Sequence, residues 1–263
     1  MKSPLISVLM TVYNSEKYLK SSIKSILNQS FKKWELVVVD DFSTDNSREI
    51  LHNIKDIRIN FFFLKKHIGR TKALNYALKQ AKGKYIAILD SDDISYINRF
   101  YLQKKVLNEN KKINLVATRA RLIDENGKTI KLQPTLREMK DFNKIIVYKN
   151  IFAHSSIMFR KNYLKKIGIY PKNLKWAQDY GLILKFVKRG HLFLIPRVLT
   201  ICRVLKTSMT YSKEYRLIRV REQISLLFFS LNNCKLNTYQ KYNIYVRMII
   251  SNIKFFLLQA LKI

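Results

Sequence analysis

Cysteine, glycine and proline are all scarce in this chain. Only two of its 263 residues are cysteines, Cys202 and Cys234, and their spacing is not that of a metal site. A disulfide scaffold and a structural zinc site are therefore excluded, and this cysteine usage suggests a reducing, intracellular setting. With six glycines, four prolines and 48% hydrophobic residues, collagen-like, low-complexity and disordered classes are excluded as well.

Acidic residues are also few. The chain has 18 Asp and Glu residues against 50 Lys and Arg residues, which gives a net charge of +32. This balance favours an anionic partner, either a nucleic acid, a phosphate-bearing substrate or an anionic membrane surface.

Long apolar runs are missing too. The longest candidates, 224–231 and 255–258, fall short of the roughly 18 apolar residues that a membrane-spanning helix needs. The N-terminus enters a predicted strand without the apolar core of a signal peptide. We therefore expect a cytoplasmic protein, with any membrane contact peripheral and on the inner face of the plasma membrane.

The first hundred residues alternate between strand-like and helix-like segments. Apolar stretches predict four strands, at 6–13, 36–39, 59–63 and 85–89. Apolar residues at helical spacing lie between them, and Gly83 is predicted to cap the last of these helices. This alternation predicts an α/β fold, a doubly wound, mostly parallel sheet flanked by helices.

Beyond about residue 114 the pattern loosens. Residues 124–128 resemble a turn between short strands, and 139–148 are predicted to be helical. From residue 215 onward two amphipathic helices are predicted. The apolar face of the first would carry Leu217, Val220, Ile224 and Leu227, and that of the second Tyr245, Met248, Ile249, Asn252 and Phe256.

We expect a main domain over residues 1–205, divided at about 118 into halves 1–118 and 119–205, and a helical extension over 206–263. The extension is basic, with Glu214 and Glu222 as its acidic residues. Two interpretations stay open: the helices lie on an anionic membrane, with 255–258 inserted, or they pack on the main domain or form a dimer contact.

Acidic residues follow two of the predicted strands directly. Asp40 and Asp41 end one strand, and Asp90, Asp92 and Asp93 follow another. Since the carboxyl ends of parallel strands border the ligand crevice of an open sheet, these carboxylates are predicted to meet at one rim. Hard oxygen ligands at this density suit Mg²⁺ or Mn²⁺ holding a diphosphate, although a single Asp after a strand is also common in turns.

Four motifs together make the sequence resemble family 2 glycosyltransferases, the inverting enzymes of GT-A fold. The resemblance covers about residues 5–205. Its motifs are Ser7-Val8-Leu9-Met10-Thr11-Val12-Tyr13-Asn14, Val39-Asp40-Asp41-Phe42-Ser43-Thr44-Asp45, His67-Ile68-Gly69-Arg70-Thr71-Lys72-Ala73-Leu74-Asn75 and Leu89-Asp90-Ser91-Asp92-Asp93.

The resemblance implies that 1–118 is a nucleotide-binding half and 119–205 an acceptor half. In the first half Tyr13 and Asn14 would lie by the base and ribose of a sugar nucleotide, and Asp41 would accept a hydrogen bond from the base. Asp90 and Asp92 match the Asp-x-Asp element that contacts the ribose and binds Mn²⁺ or Mg²⁺, and Asp93 would share one of these tasks. Three basic residues could contact the diphosphate: Arg70, Lys72 and Arg99. The alternative for each of them is a solvated surface charge.

In the acceptor half the resemblance makes Asp179 the catalytic base, which takes a proton from the acceptor hydroxyl. From the residues alone, a helix-capping aspartate is the alternative. His154 and Trp176 are placed in the acceptor region, and Arg203 matches a family arginine near the end of the domain.

The sequence departs from the family pattern at three positions. Thr11 replaces a proline, Phe42 a glycine and Gln178 a glutamate. We expect Thr11 and Phe42 to have negative φ angles, because non-glycine residues avoid positive ones. Gln178 leaves Asp179 as the sole base.

The resemblance implies transfer of a sugar from a UDP-linked donor to a hydroxyl of a surface glycan or lipid-linked oligosaccharide. A nucleic-acid-binding protein is one alternative, since the chain is basic and rich in Tyr and Phe, but no recognition motif is present and we expect no nucleic-acid partner. A phosphotransferase with an aspartyl nucleophile is the other. The sugar, the linkage and the oligomeric state are left open.

Overall fold

The computed structural model describes residues 4–189, 191–206, 208, 212 and 214–260. Residues 1–3, residue 190 and parts of the predicted extension, 207, 209–211, 213 and 261–263, lie outside the described residues. Nine strands form one sheet in the described part: β1 (Ile6–Val12), β2 (Trp34–Asp40), β3 (Ile59–Phe63), β4 (Tyr85–Ile88), β5 (Ile94–Ser95), β6 (Ile113–Ile123), β7 (Thr129–Gln133), β8 (Met158–Arg160) and β9 (His191–Arg203).

Helices cover both faces of this sheet. They are α1 (Glu16–Leu27), α2 (Ser47–His52), α3 (Arg70–Gln80), α4 (Arg99–Glu109), α5 (Leu136–Lys140), α6 (Phe142–Ile145), α7 (Leu164–Ile167), α8 (Gln178–Arg189), α9 (Arg216–Asn233) and α10 (Thr238–Ala260).

The N-terminal block of the sheet is parallel, with strand order β3-β2-β1-β4. The four predicted strands are confirmed. β1, β2 and β4 are buried almost throughout, and strands buried on both faces give unbroken apolar runs in the sequence, whereas β3 is an edge strand buried at Ile59 alone. The chain runs from β1 outward to β3 and then returns to β4 on the other side of β1, so a switch point lies between β1 and β4.

Gly83 lies where the chain enters β4, beyond the end of α3 at Gln80. The prediction that it caps this helix is wrong, because the C-cap is Ala81, in extended conformation. A Cβ atom on Gly83 would lie 2.5 Å from the backbone nitrogen of Ser7, so glycine is needed there for close approach to β1.

The C-terminal block of the sheet is mixed. β8 runs antiparallel to β4 and β6, whereas β6 and β9 form a long parallel ladder. The turn predicted at 124–128 separates β6 from β7 as expected. The helix predicted over 139–148 is instead two short helices, α5 and α6, which meet at Asp141.

Side chains alternate along the strands between two cores. On one face Val8 and Met10 pack with α1 and α4, and on the other Leu9 packs with α3, α8 and the two C-terminal helices. The second core includes Leu226 and Ile244 from α9 and α10. The extension therefore packs on the main domain, as one of the two interpretations expected.

The predicted apolar face of α10 is only partly buried. Met248 of that face is buried together with Gln240, Ile244 and Ser251, whereas Tyr245, Ile249 and Phe256 are more than half exposed. The helix is apolar around most of its circumference, so its hydrophobic pattern does not identify the packed face. Among the described residues no helix is long and apolar enough to cross a membrane.

Candidate active site

The loops that follow β1, β2 and β4 meet at one rim of the sheet. Asn14, with a φ of +50°, accepts a hydrogen bond from the Thr44 backbone N–H at 2.8 Å. The hydroxyl oxygens of Ser15 and Ser91 lie 2.8 Å apart. These contacts bring both acidic stretches of the sequence to the same rim, at the switch point between β1 and β4.

The first acidic pair is largely engaged by protein groups. Asp40 is buried, and its Oδ2 lies 2.6 Å from Nε of Arg48. Asp41 accepts backbone hydrogen bonds from Ile68 at 2.8 Å and Gly69 at 2.9 Å, with its side chain 3% exposed. Asp41 therefore anchors the loop before α3, while its direct bond to a base stays a prediction.

Arg70 begins α3 immediately after this loop. Gly69 has a φ of +85° and a ψ of 150°, a conformation that is essentially restricted to glycine. Nη2 of Arg70 lies 2.7 Å from both carboxylate oxygens of Asp90 and 3.0 Å from Nδ1 of His154. Nε2 of His154 in turn lies 2.8 Å from the Tyr170 hydroxyl. The predicted donor residues and His154 thus belong to one polar network.

The charges in this network perturb each other. Burial opposes ionisation at Asp90, yet the Arg70 guanidinium holds the pKa of Asp90 well below its usual range. Burial also opposes the charge of Arg70, but its pKa is raised because the carboxylates of Asp90, Asp179 and Asp92 act on it. Arg70 is therefore the cation on which carboxylates from both halves of the main domain converge.

Ionisation of Asp92 and Asp93 is disfavoured. Burial first, and the Asp90 carboxylate second, raise the pKa of Asp92 to about 6. Burial, followed by Asp92 and Asp90, raises the pKa of Asp93 well above its usual range. Asp93 is 5% exposed and accepts a hydrogen bond from the Arg203 backbone N–H at 2.8 Å, whereas Asp92 is half-buried at the rim.

These carboxylates suit a divalent cation whose remaining ligands are oxygens of a diphosphate. No group of three or more His, Cys, Asp or Glu within the described ranges could hold a metal by itself. Mg²⁺ is usually bound through one or two carboxylates together with substrate phosphates, so a full cage of protein ligands is not required. Asp92, with Asp90 beside it, fits that pattern because a cation would relieve its mutual repulsion with the neighbouring carboxylates.

Tyr13 and His67 form an aromatic pair at the rim. Tyr13 is 50% exposed, and its ring centroid lies 4.3 Å from that of His67. Nδ1 of His67 lies 3.1 Å from the Asp41 carbonyl oxygen. Lys72, the other predicted donor contact, is exposed on α3.

Asp179 lies in the first turn of α8, where the helix dipole favours a carboxylate. It is half-buried and accepts a hydrogen bond from Nδ2 of Asn150 at 3.1 Å. The helix begins at Gln178, so Asp179 is not the N-cap residue of the alternative interpretation.

The backbone before α8 is held by Glu222, a buried residue of α9. Its carboxylate accepts N–H bonds from Lys175 at 2.6 Å, Trp176 at 2.9 Å and Ala177 at 2.8 Å. Gln178 is also buried, and its amide nitrogen is placed to donate to the Trp176 carbonyl at 2.7 Å. The predicted acceptor residue Trp176 and the Asp179 turn are therefore fixed by the C-terminal extension.

Two expectations from the sequence need correction. Phe42 has a φ of +66°, so the prediction of a negative angle is wrong; its ring packs against the Arg48 guanidinium, 5.4 Å away. Arg99 is completely buried and donates to the carbonyls of Ile88 and Ile157, so it is neither a surface charge nor a group at the rim. Thr11 lies within β1 in extended conformation, as expected.

Several residues at the site were not identified from the sequence as functional. His67 and Tyr170 contact the predicted donor and acceptor residues, and Asn150 and Glu222 contact Asp179 and its loop. Glu222 had one usable signal, since it is one of two acidic residues in a strongly basic extension.

Comparison with known proteins gives the family and the fold of this chain. The sequence model of the family described as Glycosyl transferase family 2 matches residues 7–168. An uncharacterized glycosyltransferase of Methanocaldococcus jannaschii is 36% identical over 198 residues, which cover 73% of this chain and 68% of that protein. The O-antigen biosynthesis glycosyltransferase WbnJ of Escherichia coli is 35% identical over 187 residues, covering 70% of this chain and 72% of WbnJ.

Solved structures share the fold at lower identity. The S. aureus TarS 1-349 complex with UDP-GlcNAc has a TM-score of 0.70 at 22% identity and covers 95% of this chain and 73% of that one. The mannosyltransferase PcManGT from Pyrobaculum calidifontis, in complex with GDP-Man and Mn²⁺, has a TM-score of 0.68 at 19% identity, with coverage of 94% and 70%.

Proposed function

This chain belongs to glycosyl transferase family 2, and we propose that it transfers a sugar with inversion from a UDP-linked donor to a hydroxyl of a surface glycan or a lipid-linked oligosaccharide. One observation carries the proposal. Arg70 binds Asp90 at 2.7 Å, and its pKa is raised by the charges of Asp90, Asp179 and Asp92, which supports a single site that contains the predicted donor, metal and base residues.

The donor nucleotide would lie across the carboxyl ends of β1 and β2. Tyr13 and His67 offer an aromatic surface for the base, and Asp41 supports it by holding the 67–69 loop. TarS binds UDP-GlcNAc and PcManGT binds GDP-Man, which supports a nucleoside diphosphate sugar without choosing the base.

The diphosphate would lie between Arg70 and Asp92. Asp92, with Asp90, would hold Mn²⁺ or Mg²⁺, and the Mn²⁺ in the PcManGT complex supports this assignment. When bound, such an ion would supply positive charge that stabilises the nucleoside diphosphate as a leaving group. Arg70 would provide further positive charge, exchanging part of its contact with Asp90 for a phosphate oxygen.

The acceptor hydroxyl would approach from the side of α8. Asp179 takes its proton as the new bond to the anomeric carbon forms and the bond to the diphosphate breaks. The Asn150 amide orients the carboxylate, and Glu222 holds the preceding backbone. Attack opposite to the leaving group inverts the anomeric configuration.

We place the enzyme on the inner face of the plasma membrane, as a peripheral cytoplasmic protein. α10 presents exposed apolar residues of the kind that insert at a lipid interface, and nearby cations would contact anionic head groups. The exposed residues include Tyr242, Ile249, Ile253, Phe256 and Leu257. This surface supports a membrane-linked acceptor over a freely diffusing one.

A screen of nucleotide sugars tests the donor assignment. We expect a UDP-sugar to raise the melting temperature in the presence of Mn²⁺, and EDTA to abolish the rise. Asp179→Asn should keep that stabilisation while reducing transfer by roughly 100-fold or more. Asp141→Asn, an exposed aspartate elsewhere, serves as the control.

Other results would support the alternatives. Retained transfer by Asp179→Asn would remove its role as base. Steeply salt-dependent binding of oligonucleotides without any response to nucleotide sugars would favour nucleic-acid binding. A trapped phosphoaspartate would favour phosphoryl transfer.

A further inference from the structure

Both ring nitrogens of His154 are engaged by protein groups. Nδ1 lies 3.0 Å from Nη2 of Arg70, and Nε2 lies 2.8 Å from the Tyr170 hydroxyl. The His154 side chain is 5% exposed, and Tyr170 is buried. To contact an acceptor sugar, as the family resemblance suggests for His154, the ring would have to break one of these two contacts.

The direction of the two hydrogen bonds follows from the chemistry of the groups. A guanidinium N–H can only donate, so Nδ1 of His154 accepts from Arg70. The ring then carries its proton on Nε2 and donates to the Tyr170 oxygen. Nδ1 also lies 3.5 Å from Oδ1 of Asp90, but a proton on Nδ1 would face the Arg70 N–H. A neutral ring with its proton on Nε2 therefore satisfies both hydrogen bonds.

Arg70 is anchored through one of its three nitrogens. Nη2 makes the contacts with Asp90 and His154. Among the described residues, none accepts a hydrogen bond from Nη1 or Nε of Arg70, and its side chain is 36% exposed. Because the guanidinium group is planar, fixing Nη2 from two directions also sets the direction of the remaining N–H groups. Those groups are available to the oxygens of a diphosphate.

The segment that carries Tyr170 is bound to the helix that carries Arg70. Asn75 of α3 is buried, and its side-chain amide pairs with the Tyr170 backbone. It accepts the N–H of Tyr170 and donates to the carbonyl, each at 3.1 Å. The contacts therefore form a closed ring that leaves α3 at Arg70 and returns to it at Asn75.

The other partner of Arg70 is held by the residue next to His154. The hydroxyl of Ser155, a buried residue, accepts the backbone N–H of Asp90 at 2.9 Å. His154 and Ser155 belong to one short 3₁₀ helix, His154–Ser156. This short helix therefore fixes the Arg70 guanidinium and Asp90 relative to each other.

We propose that His154 and Tyr170 are positioning residues for the donor, which orient Arg70 so that its free N–H groups face the diphosphate. The inference rests on the proposed function and deepens it, because it assigns His154 to the donor side of the site. Neither residue touches the substrate, so both act through Arg70. An arginine that is already held loses less conformational freedom when the diphosphate binds, and this favours affinity.

Two replacements of His154 separate the roles of its nitrogens. An asparagine places its side-chain oxygen near the position of Nδ1, and a glutamine places its amide near that of Nε2. His154→Asn can therefore still accept from Arg70, whereas His154→Gln keeps only the contact with Tyr170. Both variants remove the imidazole ring, so a purely structural role would affect them alike.

Titration calorimetry of a UDP-sugar in the presence of Mn²⁺ compares these variants. We expect His154→Gln to bind about threefold to tenfold more weakly than the parent, and His154→Asn to recover most of that loss. His191→Gln, at an exposed histidine at the start of β9, is the control and should bind like the parent.

Two further variants test whether the effect passes through Arg70. In an Arg70→Gln background, His154→Gln should cause no further loss, because the group that it positions is already absent. Tyr170→Phe keeps the ring and removes only the hydroxyl, and it should weaken donor binding by about twofold to fivefold.

NMR of the unliganded protein provides a readout that needs no donor. Long-range ¹H–¹⁵N spectra of histidine-labelled protein should show the His154 ring with a proton on Nε2 and none on Nδ1. The spectrum of His154→Gln identifies the signals by their loss. A proton on Nδ1 would overturn the proposal.

The calorimetric results can also overturn it. Equal donor affinity in His154→Asn and His154→Gln would do so, and so would an additive loss in the double variant. Parent-like affinity in Tyr170→Phe would contradict the role of its hydroxyl. A parent protein that binds no nucleotide sugar would overturn the proposed function and this inference with it, whereas a parent that binds, with histidine variants that do not differ, would overturn the inference alone.

Discussion

Nη2 of Arg70 lies 2.7 Å from both oxygens of Asp90, and the residue before it, Gly69, donates its backbone N–H to Asp41. Two consecutive residues at the start of α3 therefore join the acidic stretches that follow β2 and β4. This connection fixes the position of the residues proposed to bind the base relative to those proposed to bind the diphosphate.

Replacing Arg70 should weaken the donor site. In Arg70→Gln the diphosphate loses a charge-assisted contact worth about 1.5–3 kcal/mol, so we expect roughly tenfold to a hundredfold weaker binding of a UDP-sugar. Arg70→Lys should recover only part of the loss, since lysine lacks the planar fork. Titration calorimetry measures both variants, with Lys79→Gln, exposed on the same helix, as control. Parent-like affinity in Arg70→Gln would contradict the assignment.

Asp92 and Asp93 should behave differently although they are adjacent. Asp92→Asn should abolish Mn²⁺-dependent donor binding. Asp93→Asn should retain it, because Asp93 is buried, has a strongly raised pKa and already accepts the Arg203 N–H bond. Thermal shift with and without Mn²⁺ distinguishes the two variants. Equal losses would show that Asp93 shares the metal.

Gly69 provides a test of backbone geometry. A Cβ atom would meet no other atom within 4 Å, so Gly69→Ala adds only conformational strain, about 1–3 kcal/mol. We expect the strain to displace Arg70 and weaken donor binding. Gly127→Ala is a matched control, with a φ of +84° and equally open space in the β6–β7 turn. We expect donor affinity to fall in Gly69→Ala and to stay at the parent value in Gly127→Ala when both are measured.

Restoring the family glutamate at position 178 should not help the enzyme. The Gln178 side chain is 2% exposed beside the carbonyls of Trp176 and Lys175, which a carboxylate would repel. Gln178→Glu should lower stability by about 1–3 kcal/mol. Burial would raise the folded-state pKa of the new carboxyl, so the loss should grow as pH rises through that value. Urea unfolding at pH 5 and pH 8, with exposed Gln259→Glu as control, measures this; a constant difference would contradict it.

Glu222 should affect transfer without affecting donor binding. Glu222→Gln weakens three backbone hydrogen bonds before α8, each made to a charged acceptor, so we expect a stability loss of about 1–3 kcal/mol. The turnover number should fall while Mn²⁺-dependent UDP-sugar affinity is kept. Glu214→Gln, at an exposed position before α9, is the control. Loss of donor affinity in Glu222→Gln would point to general unfolding.

The parallel block of the sheet was predictable because each of its strands is marked by a short, continuous segment of the sequence. β2 is buried along its whole length, so its apolar run marks the strand directly, and the aspartates that end β2 and follow β4 mark the rim. The orientation of α10 was not predictable, because Ile249 and Phe256 are as apolar as the residues that pack.

The long-range contacts of the site could not be found by spacing. Glu222 meets the backbone of residues that are 45 to 47 positions away in the sequence, and Arg70 meets His154 across 84 positions. The positive φ of Phe42 was missed because we applied the general preference of non-glycine residues for negative φ, and the structure departs from it at this position.

The Glu222 carboxylate also limits where segments can be exchanged between this enzyme and its relatives. A hybrid enzyme that takes α8 from one relative and α9 from another would pair a loop with a foreign partner and lose the anion that holds it. Exchanges intended to alter acceptor preference should therefore move residues 175–223 as one unit, with the seams placed outside that interval.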